Sequence, residues 1–252
     1  MQFNYHTHTA RCNHAVGTDK EYVEKAIEKG LKTLGFSDHA PYLFPDGLDA
    51  GAHRMKVEQI QEYAESIRAL KKEYAKDIRI LCGFELEYYP EYHKEEMLFL
   101  NSVSPDYILL GQHFIGAEHE GRLSSKNNSD DNLAHYVTQV LSALSTGDFL
   151  YLAHPDMPGN GCSMACKQTQ YRRLCEGARR MNIPLEINLL GIRNHRNYPT
   201  ETFFKIAGEV GNDVVLGIDA HSPDSILDDK AEEVANAMVK AYNLKRIEKE
   251  WL

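Results

Sequence analysis

Apolar residues follow two different spacings along this chain. Short runs, apolar at nearly every position and closed by Gly, Pro, Asp or Lys, occupy residues 2–6, 33–38, 78–85, 107–112, 149–153, 184–188 and 214–219. Strands buried on both faces of a parallel sheet have this length and composition. Between them, apolar residues recur every three or four positions. Val57, Ile60, Tyr63, Ala64, Ile67, Leu70 and Tyr74 make one such stripe and predict a helix over 55–75. Similar stripes predict helices over 130–145, 167–181, 200–210 and 229–242, with a weaker one over 90–101. Thr18 and Gly30 bound the first helix, as residue types that start and stop helices.

Seven strands alternating with seven helices fit an open doubly wound sheet or a closed barrel. The polar residues that close the strands decide between them. His6-Thr7-His8, Asp38-His39, Glu85, His113, His154 and Asp219-Ala220-His221 stand at the C-terminal ends of six of the seven. An open sheet does not bring the ends of its outer strands to one point. A barrel does, and barrel active sites lie at that rim. The expected fold is therefore α/β, a (β/α)7 TIM-like barrel. The 252 residues suit one domain spanning 1–252, without a linker or repeat. Loops at 43–53, 118–131 and 155–165 follow ligand-bearing strands and are expected to line a pocket. The charge run at 245–249 reads as a solvated tail.

His6 and His8 lie two apart on a strand end, so both project to one side and can share a metal. Asp219 and His221 repeat that geometry at the last strand. Glu85 ends an apolar run, where a carboxylate is costly unless it is paired with charge. With His113, His154, His14 and His39 the donors number nine, enough for three ions if Glu85 bridges. Imidazole suits zinc, iron and manganese alike. His93 and His135 fall in helices and are expected at the surface, and His119 in a polar loop. His53 and His195 fall in candidate pocket loops.

Composition narrows the partners. Lys plus Arg total 28 against 37 Asp plus Glu, a net −9, which argues against a nucleic-acid surface. An anionic substrate remains compatible, because bound cations reverse the local sign. The five cysteines have no disulfide-framework spacing and fit a reducing, cytoplasmic setting. Cys162 and Cys166 could be half of a zinc site, but no second half is visible. No signal peptide is seen, and no apolar run approaches the ~18 residues of a membrane span. The oligomeric state is left open.

The motifs resemble the PHP (polymerase and histidinol phosphatase) superfamily, and within it the stand-alone histidinol-phosphate phosphatases. The resemblance rests on His6-Thr7-His8-Thr9-x-x-Cys12-x-His14, Phe36-Ser37-Asp38-His39-Ala40-Pro41, Arg54-Met55 before a long helix, Gly83-Phe84-Glu85, and Gly217-x-Asp219-Ala220-His221. Ala153-His154-Pro155-Asp156 has the general superfamily form, and the stretch from Glu186 to Arg193 matches loosely. The resemblance implies a distorted seven-stranded barrel and three divalent ions. One would be held by His6, His8, Glu85 and Asp219, a second by Glu85, His113 and His154, and a third by His14, His39 and His221. It implies hydrolysis of a small phosphate monoester, L-histidinol phosphate, in histidine biosynthesis.

In that reading Glu85, His39 and Asp219 serve catalysis through the metals. Asp38 is placed to orient a ligand histidine. Arg193, Arg196 and Arg54 are candidates for the phosphate, since guanidinium forks match its oxygens. Glu87 is a candidate for a substrate amine. The competing readings are a superfamily phosphoesterase acting on a nucleotide or sugar phosphate, a two-metal amidohydrolase, and a non-catalytic metal-binding module. His14, His39 and His221 weigh against the second, which has no use for a third group of histidines.

Overall fold

Four parallel strands pair in chain order: β1 (Phe3–Asn4), β2 (Thr33–His39), β3 (Arg79–Leu86) and β4 (Tyr107–Leu110). A second parallel set comprises β5 (Leu185–Asn188), β6 (Asp213–Gly217) and β7 (Lys245–Arg246). Single bridges join the sets into a ring. Leu152 bridges Leu110 on one side and Leu185 on the other, and Thr7 bridges Ala220. This computed structural model describes residues 1–45, 52–126 and 129–252. The predicted pocket loops at 43–53 and 118–131 therefore lie partly outside the described residues. The fold is a curled parallel α/β sheet of the TIM-like kind, as expected.

Helices pack around the ring: α1 (Asp19–Lys29), α2 (Ile60–Glu73), α3 (His93–Asn101), α4 (Asp130–Leu144), α5 (Met164–Arg180), α6 (Leu189–Arg193), α7 (Glu201–Val210) and α8 (Asp229–Ala241). Thr18 caps α1 in a reciprocal arrangement with Glu21, and Gly30 ends it at φ 82°, where a Cβ would be strained. The predicted stripe of α2 is buried at Ile60, Tyr63, Ala64, Ile67 and Leu70. Among the described residues no helix is long and apolar enough to cross a membrane.

Three elements differ from expectation. The strand at 149–153 narrows to the bridge at Leu152, although Ala153 N donates to Leu110 O (2.9 Å) and Glu186 N to Leu152 O (3.0 Å). Its extended backbone stops at His154, where φ is 30°. Helix α6 was not predicted, because five residues are too few to show a stripe; Asn188 Oδ1 caps it at Gly191 N, 2.8 Å. The tail at 245–249 is not simply solvated. Lys245 and Arg246 pair with β6, and Ile247 N donates to Val214 O at 2.8 Å.

The ring separates two apolar regions. The larger lies between sheet and helices and includes Phe36, Tyr63, Phe84, Tyr136 and Phe203. The smaller comprises Phe3, Tyr5, Leu81, Tyr107, Leu109, Tyr151, Ala153 and Val215, with Trp251 packed against it. Trp251 lies edge-on to Phe3 (5.6 Å between centroids) and Tyr5 (5.2 Å). This apolar plug forms the floor beneath the histidine-rich rim.

Candidate metal centre

Register places the first donors. The β2–β3 ladder sets His39 opposite Glu85. The Thr7–Ala220 bridge sets His6 and His8 beside Asp219 and His221. Asp219 takes a positive φ of 51°, a costly conformation for a non-glycine residue that local structure here enforces. Two close approaches make room for the carboxylates. A Cβ on Gly111 would sit 1.9 Å from Glu85 Oε1, and one on Gly217 would sit 1.7 Å from Glu186 Oε1.

Glu85 is the hub. Its Oε2 lies 3.5 Å from His6 Nε2, 3.5 Å from His8 Nε2 and 3.1 Å from His39 Nδ1. Its Oε1 lies 2.8 Å from His154 Nε2 and 3.7 Å from His113 Nε2. Asp219 Oδ1 lies 3.6 Å from His6 Nε2 and 3.2 Å from His8 Nε2. The rings of His14, His39 and His221 gather on the other side of His8. Centroid separations are 4.1 Å for His8–His221, 4.4 Å for His8–His39, 4.8 Å for His14–His221 and 5.2 Å for His14–His39. All nine predicted donors thus come together in one place.

Several observations test whether this set fits metal ions. His6 Nε2, Glu85 Oε2 and Asp219 Oδ1 are buried and lack hydrogen-bond partners. Native structures rarely leave buried polar atoms in that state. Separations of 3.2–3.6 Å among these atoms and His8 Nε2 are close to the edge of a tetrahedron with ~2.0–2.1 Å metal–ligand bonds, about 3.4 Å. The far nitrogens are held from behind. His6 Nδ1 faces Glu186 (2.7 Å), His113 Nδ1 faces Glu87 (2.7 Å) and His8 Nδ1 faces Asp38 (3.3 Å). His14 Nδ1 faces Cys12 O (2.8 Å), and His221 Nδ1 faces Asp219 O (3.2 Å). Five rings therefore have Nδ1 engaged and Nε2 available, the arrangement that supporting carboxylates and carbonyls impose on ligand histidines. The donor set fits divalent cations.

Charge favours the same conclusion. Burial pushes the Glu85 carboxyl up, but the imidazoles of His39, His113 and His6 more than offset this and hold it well below the usual range. Asp219 is held low in the same way by His6, His8 and His221. Burial pushes His39 well below its ordinary value and His221 down to about 3. Both rings keep the lone pairs that a ligand needs.

The remaining predicted residues divide. Arg196 lines the cavity over the cluster, about 740 Å³ in volume, together with Leu190, Asn194, Tyr198, Phe114 and His53. Its Nη1 donates to Tyr198 Oη at 2.9 Å. Arg193 lies in an adjoining cleft between Asp219 O (3.5 Å) and Asp228 Oδ2 (3.8 Å). Arg54 does not line the cavity; it is buried, donating to Ala40 O (3.1 Å) and paired with Glu118. Glu87 is not turned towards a substrate amine: its carboxylate accepts from His113 N (2.9 Å) and faces His113 Nδ1. His195 is exposed, as are His119 and His135. His93, expected at the surface, is buried with Nε2 2.8 Å from Asp148 Oδ2.

Sequence reasoning missed Glu186, which supports His6, accepts from His154 N (2.9 Å) and receives Asn188 Nδ2 (2.9 Å). The signal was present: Leu185-Glu186-Ile187-Asn188 alternates apolar and polar on a strand buried at all four positions. Cys12, part of the first motif, lies within reach of the His14 and His221 donors.

Residues 4–189 match the family model described as PHP domain. The chain belongs to this family. A protein of Deinococcus radiodurans named "Probable histidinol-phosphatase" is 30% identical over 233 residues, covering 88% of this chain and 86% of that one. The "Histidinol-phosphatase" of Bacillus subtilis is 30% identical over 151 residues, covering 58% of this chain and 54% of its own length. The crystal structure of histidinol phosphate phosphatase from Lactococcus lactis, complexed with zinc, L-histidinol and phosphate, superposes with a TM-score of 0.69. It is 17% identical and covers 98% of this chain and 95% of that one. That likeness establishes the fold.

Proposed function

We propose that this chain is a metal-dependent phosphatase that hydrolyses L-histidinol phosphate to histidinol and phosphate. The observation that carries the reading is the meeting of unpartnered His6 Nε2, Glu85 Oε2 and Asp219 Oδ1 among six further imidazoles. The names of the two relatives point to the substrate.

His6, His8, Glu85 and Asp219 would hold one ion, Glu85, His113 and His154 a second, and His14, His39 and His221 a third. Bound zinc, manganese or iron would activate water near neutral pH and neutralise charge developing on the phosphoryl oxygens. The chain's own residues prepare that event. Glu186, Asp38 and Glu87 fix the ring orientation of His6, His8 and His113 through Nδ1. Arg196, steadied by Tyr198, offers its guanidinium to a phosphate oxygen. Arg193, between Asp219 O and Asp228, steadies the strained Asp219 backbone. Phe114, Leu123 and Leu190 give the cavity an apolar wall that excludes water from the ester.

The test is a substrate panel on protein of measured metal content, with and without chelator. L-histidinol phosphate, a nucleotide, a sugar phosphate and a phosphodiester would be compared. Chelator-sensitive turnover of histidinol phosphate above the others is expected. Preference for the nucleotide or sugar would replace the substrate; preference for the diester, or no turnover, would end the monoesterase reading.

A further inference from the structure

The metal ligands leave one step unassigned. An alcohol leaving phosphorus departs as an alkoxide, a poor leaving group, unless a proton reaches its oxygen. Among the described residues, one histidine outside the ligand set lines the cavity: His53. Its ring lies 6.5 Å from that of His39 and 5.6 Å from that of Phe114. Its side chain is 41% exposed, yet Nε2 is turned away, 3.0 Å from Glu118 Oε1.

Glu118 is built into place. It is only 5% exposed. Its Oε2 is taken by Arg54 and by Tyr89 Oη, the latter at 3.1 Å, so Oε1 is left to His53. A carboxylate buried this deeply is stable only when paired, and Arg54 supplies the charge. The contact is an ion-pair approach rather than a formed hydrogen bond, and it holds the ring with Nε2 towards the carboxylate. In the imidazolium form each ring nitrogen carries a proton. Nδ1 makes no hydrogen bond to any described residue, and it is the nitrogen left to exchange a proton.

We propose that His53, oriented by Glu118, delivers the proton on Nδ1 to the departing alcohol oxygen, an inference that rests on the phosphatase reading above. The bond from phosphorus to that oxygen breaks, with its electron pair going to oxygen, and the Nδ1 proton joins it there. Water supplies the new P–O bond and returns one proton to Nδ1. The products are the alcohol and hydrogen phosphate, and the ring is restored. Glu118 and Arg54 are positioning residues, which explains why Arg54 is turned away from the cavity.

A purely structural alternative exists, in which the His53–Glu118 pair only fastens the segment before α2 to the turn at 118–121. Leaving-group chemistry separates the two. p-Nitrophenyl phosphate releases a stabilised phenolate that needs no proton, whereas L-histidinol phosphate releases an alkoxide. For His53→Gln, kcat on histidinol phosphate should fall by about 10²-fold or more. Turnover of p-nitrophenyl phosphate and metal content by mass spectrometry should stay near wild type. Glu118→Gln should shift the same ratio in the same direction by less. Equal losses on both esters, or no loss on histidinol phosphate, would overturn the proposal. If the wild-type protein hydrolyses neither ester, the phosphatase reading fails, and the proposal with it.

Discussion

Two storeys of the barrel interior, built on the same strands, obey opposite rules. In the lower storey Phe3, Tyr5, Leu81, Tyr107, Leu109, Tyr151 and Val215 bury apolar surface against one another. Tyr107 Oη finds two acceptors there, Tyr5 O at 2.6 Å and Phe36 O at 3.0 Å. A few residues further along, the same strands present His6, Glu85, His113, His154 and Asp219, with buried atoms left unpartnered. The lower storey stabilises the fold by the ordinary means of a core. The upper is a strained collection of like and unlike charges that an apolar packing would outperform in stability. Stability and reactivity are thus divided along the strand axis, and each side can be altered without the other.

The largest effect should come from above. In Glu85→Gln, which keeps the volume admitted by Gly111, the shared carboxylate is lost. Removing several kcal/mol of metal-derived stabilisation lowers kcat/KM by at least about 10²–10³-fold. Metal content should fall, while the melting temperature of the metal-stripped variant should barely differ from that of metal-stripped wild type. Normal turnover by this variant would erase the division between storeys. Below, Trp251→Ala should do the reverse. A fully buried Trp or Phe truncation costs about 3–5 kcal/mol, and this partly exposed ring should cost about 2–3 kcal/mol in urea unfolding. The kcat of the folded fraction should hold, and a proportionate loss of kcat would show that the floor shapes the rim.

Glu96 sharpens the comparison with a smaller effect. It is fully buried, and Leu43 N donates to it at 2.9 Å. It lacks the ring of imidazoles around Glu85, and burial pushes its carboxyl up to about 7. Because the folded value lies above the unfolded one, stability is greatest below about pH 4.5 and declines as pH rises towards 7. Glu96→Gln should therefore raise stability by about 1–2 kcal/mol at pH 8 and change it little at pH 4.5. An equal gain at both values would mean that ionisation is not the cause.

The sequence displayed the upper storey better than the lower. Histidines closing apolar runs can be seen without knowing what pairs with what, and all nine donors meet. Glu186 escaped because a lone acid within a strand reads as a solvent-facing residue until the ring closes over it. Arg54 and Glu87 misled for a related reason. Their charge suggested a substrate, and only three-dimensional packing reveals Glu118 and His113 as their partners. The role of Trp251 was hidden because two short strand residues, Lys245 and Arg246, carry no apolar pattern.

The seam between β1 and the segment that follows β6 is narrow. It rests on the Thr7–Ala220 bridge, with His8 N donating to Ala220 O at 2.9 Å and Asn4 Oδ1 accepting from Ile218 N at 2.9 Å. His6 and His8 flank one edge of that seam, and Asp219 and His221 flank the other. A cation gripped from both edges would act as a buckle, fastening segments that lie more than 200 positions apart along the polypeptide. Stripping the ions should then loosen the cylinder at its join first, so that loading and closure become one event.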